Sequence, residues 1–175
     1  MREWERATWA TGVCEESVMR RAGAAIAQVA RRLTAHGAEI LVLAGKGHNG
    51  DDARFAAENL SNRTVRVVNV SDPAAVVAEV KNFSGALIVD GLFGIGLSRS
   101  LVGDWLKLVG ALNAARAPIL AVDVPSGLDA DAGEPLGDAV RATVTLTFGA
   151  MKSGLLNASA APFTGRLEVA ADIGL

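Results

Sequence analysis

ILVLAGKGHNGDDA, from Ile40 to Ala53, is the stretch whose reading decides the fold class. Its first five residues form an unbroken apolar run, and Gly37 and Gly45 bound it. A short apolar run between turn residues predicts a strand buried on both faces, as in the interior of a parallel sheet. Similar runs follow at Val65 to Val70, Ala86 to Asp90, Ile119 to Val124 and Thr143 to Phe148, and Leu167 to Ala170 predicts an edge strand after Gly165. Helices are predicted between them at Asp52 to Leu60, Ala74 to Phe83 and Leu101 to Ala115. Another precedes them at residues 17–33, where Val18, Met19, Ala22, Ile26, Val29, Ala30 and Leu33 recur at helical spacing. Strands alternating with helices predict a parallel sheet with right-handed crossovers and helices on both faces.

Composition bounds the function. A chain of 175 residues, half of them hydrophobic, suffices for one compact domain with a sizeable core, and residues 1–175 are read as that single domain. Its 17 basic and 19 acidic residues lack the basic excess of a nucleic-acid binder. A lone cysteine, Cys14, makes no internal disulfide and has no His/Cys cluster around it for zinc. The charged start MREWERATWATG has no apolar signal run, and no stretch has the length of a membrane-spanning helix, so a cytoplasmic protein with no membrane partner is expected.

Parallel strands deliver their C-terminal ends to one rim of the sheet, where ligands bind. Three Gly- and Asp-rich loops converge there: Gly45 to Ala53, Asp90 to Ser100 and Asp123 to Asp131. Gly45, Gly47 and Gly50 form a G-x-G-x-x-G between a strand and a helix, the context for binding a phosphate at a helix N-terminus. The glycines also fit a plain turn needing positive φ. Asp72, near the end of the second strand, keeps open a dinucleotide-dependent oxidoreductase, where it would hold a ribose. Against that, Asp51 and Asp52 place carboxylates where a pyrophosphate would sit. Asp51, Asp52, Asp90 and Asp123 crowded on one rim call for a retained proton or a hard, oxygen-ligated cation, to which Asn49 and Ser126 could add neutral oxygens. Each aspartate alone fits a cap or a turn equally well. His48 could donate to a phosphate or move a proton, Arg99 and Lys152 could pair with phosphates, and His36 reads as a helix C-terminal cap. Trp4, Trp9 and Trp105 read as packing anchors.

Three long segments then carry a resemblance. LAGKGHNGDDA is similar to the G-x-G-N-N-G-G-D-G loop of the NAD(P)H-hydrate epimerase family, the YjeF N-terminal domain, VDGLFGIGLSR to its V-D-x-L-F-G-T-G-L-x-R segment, and VDVPSGLDADAG to its D-I-P-S-G-L-D-A-D-x-G segment. FGAMKSGLL and MRRAGAAIA extend the match. The resemblance implies a three-layer α/β/α sandwich, Rossmann-like, that interconverts the R and S epimers of hydrated NADH and NADPH, in which the reduced nicotinamide ring carries a hydroxyl. It further implies that Asn49, Asp90 and Ser126 hold a potassium ion and that Asp123 is the acid/base at the nicotinamide end. His48, Asn49, Gly50, Asp51 and Asp52, with Gly94, Ile95, Gly96, Leu97, Ser98, Arg99 and Ser100, would line the substrate site together with Asp123. The partners expected are the hydrated dinucleotide, a second copy in a homodimer, and an ADP- or ATP-dependent dehydratase, separate or joined after Leu175 as in many relatives. The chain departs from the family at His48 for asparagine and at Asp51 and Ala53 for glycines, and its span between the second and third strands is short by family standards. Asp51 is expected to set a negative charge beside the phosphates, which leaves a catalytically silent nucleotide- or partner-binding relative as the alternative.

Overall fold

In a computed structural model, residue 12 and residues 14–174 are described. The strands are β1 (Glu39–Ala44), β2 (Thr64–Asn69), β3 (Leu87–Gly91), β4 (Ile119–Val122), β5 (Val144–Phe148) and β6 (Arg166–Ala170). They form one sheet in the order β2-β1-β3-β4-β5-β6, every neighbouring pair parallel, including the edge strand expected after Gly165. The helices are α1 (Glu15–Leu33), α2 (His48–Glu58), α3 (Pro73–Asn82), α4 (Asp104–Asn113) and the single turn α5 (Ala161–Thr164).

Period-two alternation sorts the strand side chains onto two faces. Ile40, Val42, Leu87, Val89, Leu120 and Val122 pack with α1 and α2, while Leu41, Leu43 and Ile88 pack with α3 and α4. These are the helix, sheet and helix layers of the predicted sandwich. Both Gly23 on α1 and the helix it faces allow close approach, since a Cβ on Gly23 would lie 2.5 Å from the Phe55 Cβ on α2. Trp105 packs edge-on to Phe93 with ring centroids 4.7 Å apart, as an anchor should. Trp4 and Trp9 lie outside the described residues.

Most boundaries shift by one or two residues from the sequence reading, and three of the differences have a clear local reason. Helix α2 begins at His48 instead of Asp52, with Gly47 as its N-cap, so His48 to Asp51 form its first turn and not a loop. Strand β4 stops at Val122 because Asp123 has φ 64°, outside the strand conformation. Helix α4 starts at Asp104 instead of Leu101, since Gly103 has φ 58° and the Leu101 N–H is committed to Leu136 O at 2.8 Å. His36 is not the cap of α1. Thr34 ends that helix, with its Oγ1 donating to Ala30 O at 2.7 Å, while Arg63 Nη2 donates to Thr34 O at 2.8 Å.

The chain runs outward from β1 to β2 and then crosses back to β3 on the other side of β1. The crevice between the C-terminal ends of β1 and β3 is therefore a topological switch point, the place where open α/β sheets bind ligands.

Candidate functional site

A cavity of about 720 Å³ opens at that switch point. This lies within the usual range for small-molecule and cofactor sites, roughly 300–1,000 Å³. The N-terminal half of α1 roofs it, and the segments after β1, β3, β4 and β5 form its floor and sides.

The first segment explains the glycines. None of Gly45, Gly47 and Gly50 has positive φ, so turn geometry is not their reason. A Cβ on Gly50 would come within 2.7 Å of the Gly45 carbonyl carbon, so the glycine lets the first turn of α2 lie directly on the end of β1. A Cβ on Gly91 would meet the Ala53 Cβ at 2.5 Å. Ala53, one of the three departures from the family pattern, thus fits because β3 presents no side chain there. His48 and Asn49 line the cavity, and His48 Nε2 lies 3.1 Å from Glu15 Oε1 of α1.

Asp51 corrects the expectation attached to it. It does not line the cavity; it pairs with Arg54 Nη1 at 2.7 Å. The same guanidinium donates to Asn69 Oδ1 at the end of β2 and to Gly45 O, each at 2.7 Å. The charge expected beside a ligand's phosphates is instead part of a clamp on the outer side of α2. Gly50 and Ser100 also lie off the cavity, whereas Asp52 and residues 94–99 line it. Asp72, the residue that kept a dehydrogenase open, caps α3 by accepting from Ala74 N at 3.0 Å and takes no part in the cavity.

At the end of β3, Asp90 is fully buried. Ser126 donates its Oγ–H to Asp90 Oδ1 at 2.6 Å and its N–H to Oδ2 at 2.9 Å, and Leu92 N–H donates at 3.3 Å. All three donors are neutral. Burial pushes the Asp90 carboxyl above the usual carboxylate range, and the hydrogen bonds from Ser126 and Leu92 oppose the push. Asn49, in the first turn of α2, lies against Gly94, where an added Cβ would be 3.2 Å from its Oδ1, and its buried amide nitrogen has no partner among the described residues. A buried carboxylate with no cation among the described residues, a hydroxyl and an amide that can present either end make an oxygen-rich donor set. Such a set fits a monovalent cation. Among the described residues there is no cluster of three His, Cys, Asp or Glu side chains of the kind that holds a transition metal.

After β4 the geometry differs. Asp123 is the one non-glycine residue with positive φ among those described, a conformation that costs of order 1–3 kcal/mol and gathers at functional sites. Its Oδ1 accepts from Thr147 Oγ1 at 3.1 Å, from Phe148 N–H at 3.2 Å and from Lys152 Nζ. Lys152 also donates to Phe148 O at 2.9 Å. Among the described residues no donor reaches Oδ2, and both Asp123 and Lys152 line the cavity. Lys152 is therefore not a solvated rim cation waiting for phosphate: it is buried and ion-paired to Asp123. Sequence reasoning missed that pairing, because 29 residues separate the two and only the packing of β4 beside β5 joins them.

Two other cations do stand free. Lys46 and Arg99, from the segments after β1 and β3, are exposed cavity residues without an ion-pair partner among the described residues. With the N-terminus of α2 they make the mouth of the cavity attractive to anions. At its inner end lie Asp123 and Lys152 against apolar Phe148. No described helix is long and apolar enough to cross a membrane.

The chain matches the family model described as YjeF-related protein N-terminus over residues 15–82 and 68–154. It is 43% identical over 175 aligned positions to a protein of Bordetella bronchiseptica named NAD(P)H-hydrate epimerase, covering 86% of this chain and 76% of that one. It is 36% identical to a Coxiella burnetii protein named bifunctional NAD(P)H-hydrate repair enzyme Nnr, covering 97% of this chain but 39% of that longer protein. The crystal structure of yeast ynu0, YNL200c, shares the fold at a TM-score of 0.67 and 23% identity, covering 82% of this chain and 74% of the yeast one.

Proposed function

The chain belongs to the YjeF-related protein N-terminus family, and from that premise we propose that it interconverts the R and S epimers of hydrated NADH and NADPH. The observation that carries this reading is the buried Asp123–Lys152 pair at the inner end of the cavity, with one carboxylate oxygen occupied by three donors and the other left for a ligand.

The reaction asks for little. The ring hydroxyl takes a proton, its C–O bond breaks, water leaves, and the ring nitrogen's lone pair stabilises the resulting cation. Water then returns to either face and gives up a proton. Asp123 Oδ2 would give the hydroxyl that proton as the carboxylic acid and take it back from the returning water, while Lys152 holds the carboxyl's other oxygen and its orientation. The carboxylate would also face the positive charge that develops on the ring, with buried Phe148 beside it in the cavity. No hydride moves. Lys46, Arg99 and the first turn of α2 would receive the dinucleotide's phosphates at the mouth.

Asn49, Asp90 and Ser126 would hold a potassium ion, which would supply the positive charge that the buried Asp90 lacks. A homodimer, and a dehydratase acting on the same substrate, belong to the proposal. The Coxiella burnetii relative, whose name states two functions, supports the second.

The test is to incubate the protein with the R epimer of hydrated NADH and follow the S epimer by proton NMR, with NAD⁺ reduction monitored in parallel. Epimerisation without redox change is expected. Unchanged R epimer beyond the spontaneous rate contradicts the reading.

A further inference from the structure

One wall of the cavity comes from beyond residue 154, where the family match ends. After β6 the chain turns back over α1, and Ile173, only 3% exposed, joins Val18, Ala22 and Phe148 in one apolar cluster while lining the cavity. Two features hold it there. Arg21 on α1 donates Nε–H to Ile173 O at 2.6 Å. Gly174 has φ +85°, a backbone conformation that glycine adopts far more readily than other residues, which lets the chain turn just past Ile173.

Phe148 ties this wall to the reacting end. Its N–H donates to Asp123 Oδ1 and its carbonyl accepts from Lys152, while its side chain packs in the cluster that contains Ile173. The cavity is therefore divided, with free cations at the mouth and an apolar wall beside the acid/base pair. A wall without polar side chains suits the flat face of a nicotinamide ring and offers nothing to a phosphate or a sugar.

We propose that the segment ending in Ile173, pinned by Arg21, is the ring-side wall of the substrate site, and that Ile173 sets affinity for the nicotinamide half of the dinucleotide. This rests on the epimerase reading above. Ile173 acts as a specificity residue; it takes no part in proton transfer.

The test compares binding of NADP⁺ with that of its phosphate- and sugar-matched fragment lacking the ring, 2′-phospho-ADP-ribose, by calorimetry on the full chain. Ile173→Ala is expected to weaken NADP⁺ about tenfold and Ile173→Val about threefold, as for lost buried methyl and methylene contacts, while the ring-free ligand is unchanged. Arg21→Ala should weaken NADP⁺ in the same selective way, with Arg21→Lys restoring it. With hydrated NADH the Ile173→Ala loss should fall on KM, with kcat within twofold of the wild type. Equal losses for both ligands, no loss for either, or a loss confined to kcat overturns the wall. A wild-type protein that binds neither ligand and epimerises nothing overturns instead the reading on which the wall rests.

Discussion

Two carboxylates stand at the ends of neighbouring strands, and the fold treats them oppositely. Asp90, at the end of β3, is sealed from solvent and, among the described residues, meets only neutral donors. Asp123, one strand along, sits on left-handed backbone, meets an ammonium group and keeps one oxygen open to the cavity. Burial alone does not assign a role to an acid. What separates them is which partner compensates the charge and whether an oxygen remains for a ligand. Among the described residues the rim of β3 leaves its carboxylate without a cation, and the rim of β4 already contains one.

The contrast can be broken most severely at Lys152. Replacing it with methionine keeps the bulk and leaves the Asp123 carboxylate buried without its cation, which typically costs about 3–5 kcal/mol. Chemical denaturation should show a loss of that size, while Lys152→Met combined with Asp123→Asn should recover much of it. A loss below about 1 kcal/mol in the single variant would mean that the pair is not the compensated unit described here.

Asp90 should respond to solvent cations instead. Potassium should raise the melting temperature more than an equal ionic strength of tetramethylammonium does, the extra stability reaching roughly 2–3 kcal/mol when the ion is near a hundred times its Kd. Asp90→Asn should remove the difference. The sign of the pH dependence follows from the upward push on Asp90. Without a cation the folded chain keeps the Asp90 proton to higher pH than the unfolded chain, so this contribution to stability is fully present below the ordinary carboxylate value. It is lost as pH rises through the raised folded value. Potassium should flatten that decline, and melts showing equal slopes in the two salts would remove the cation site.

The smallest effect is expected at Asp51. Its pair with Arg54 is about one-third to two-fifths exposed on each side, so screening limits it to a few tenths of a kcal/mol. Asp51→Gly also places a glycine in a helix, and the total should be about 1 kcal/mol of stability. Because Asp51 faces Arg54 and not the cavity, affinity for NADP⁺ should not improve. Tighter binding in a titration of the variant would return Asp51 to the ligand's side of the loop.

The layers of the fold and the rim that carries the site were legible in the sequence because apolar runs and glycines report local geometry directly. The six parallel strands fall where those runs lie, and three family-like segments end on the same rim. Side-chain direction was not legible. Asp51 and Asp52 are adjacent, yet a helix turns successive residues about 100° apart, so one faces Arg54 and the other lines the cavity. The Asp123–Lys152 pair and the seat of Ile173 depend on packing between distant segments, for which local pattern carries no signal. His36 was misread because the cap of α1 depends on Thr34 and on an arginine from another segment, Arg63.

The most direct test is Asp123→Asn, which preserves the shape of the side chain and cannot take up a proton as a base does. General acid/base roles are worth roughly 10²–10⁴-fold in rate. Epimerisation of hydrated NADH by the variant should fall by about that factor, with a thermal melt showing a folded protein. A folded Asp123→Asn protein that epimerises at close to the wild-type rate would contradict the assignment of the chemistry to the β4 rim.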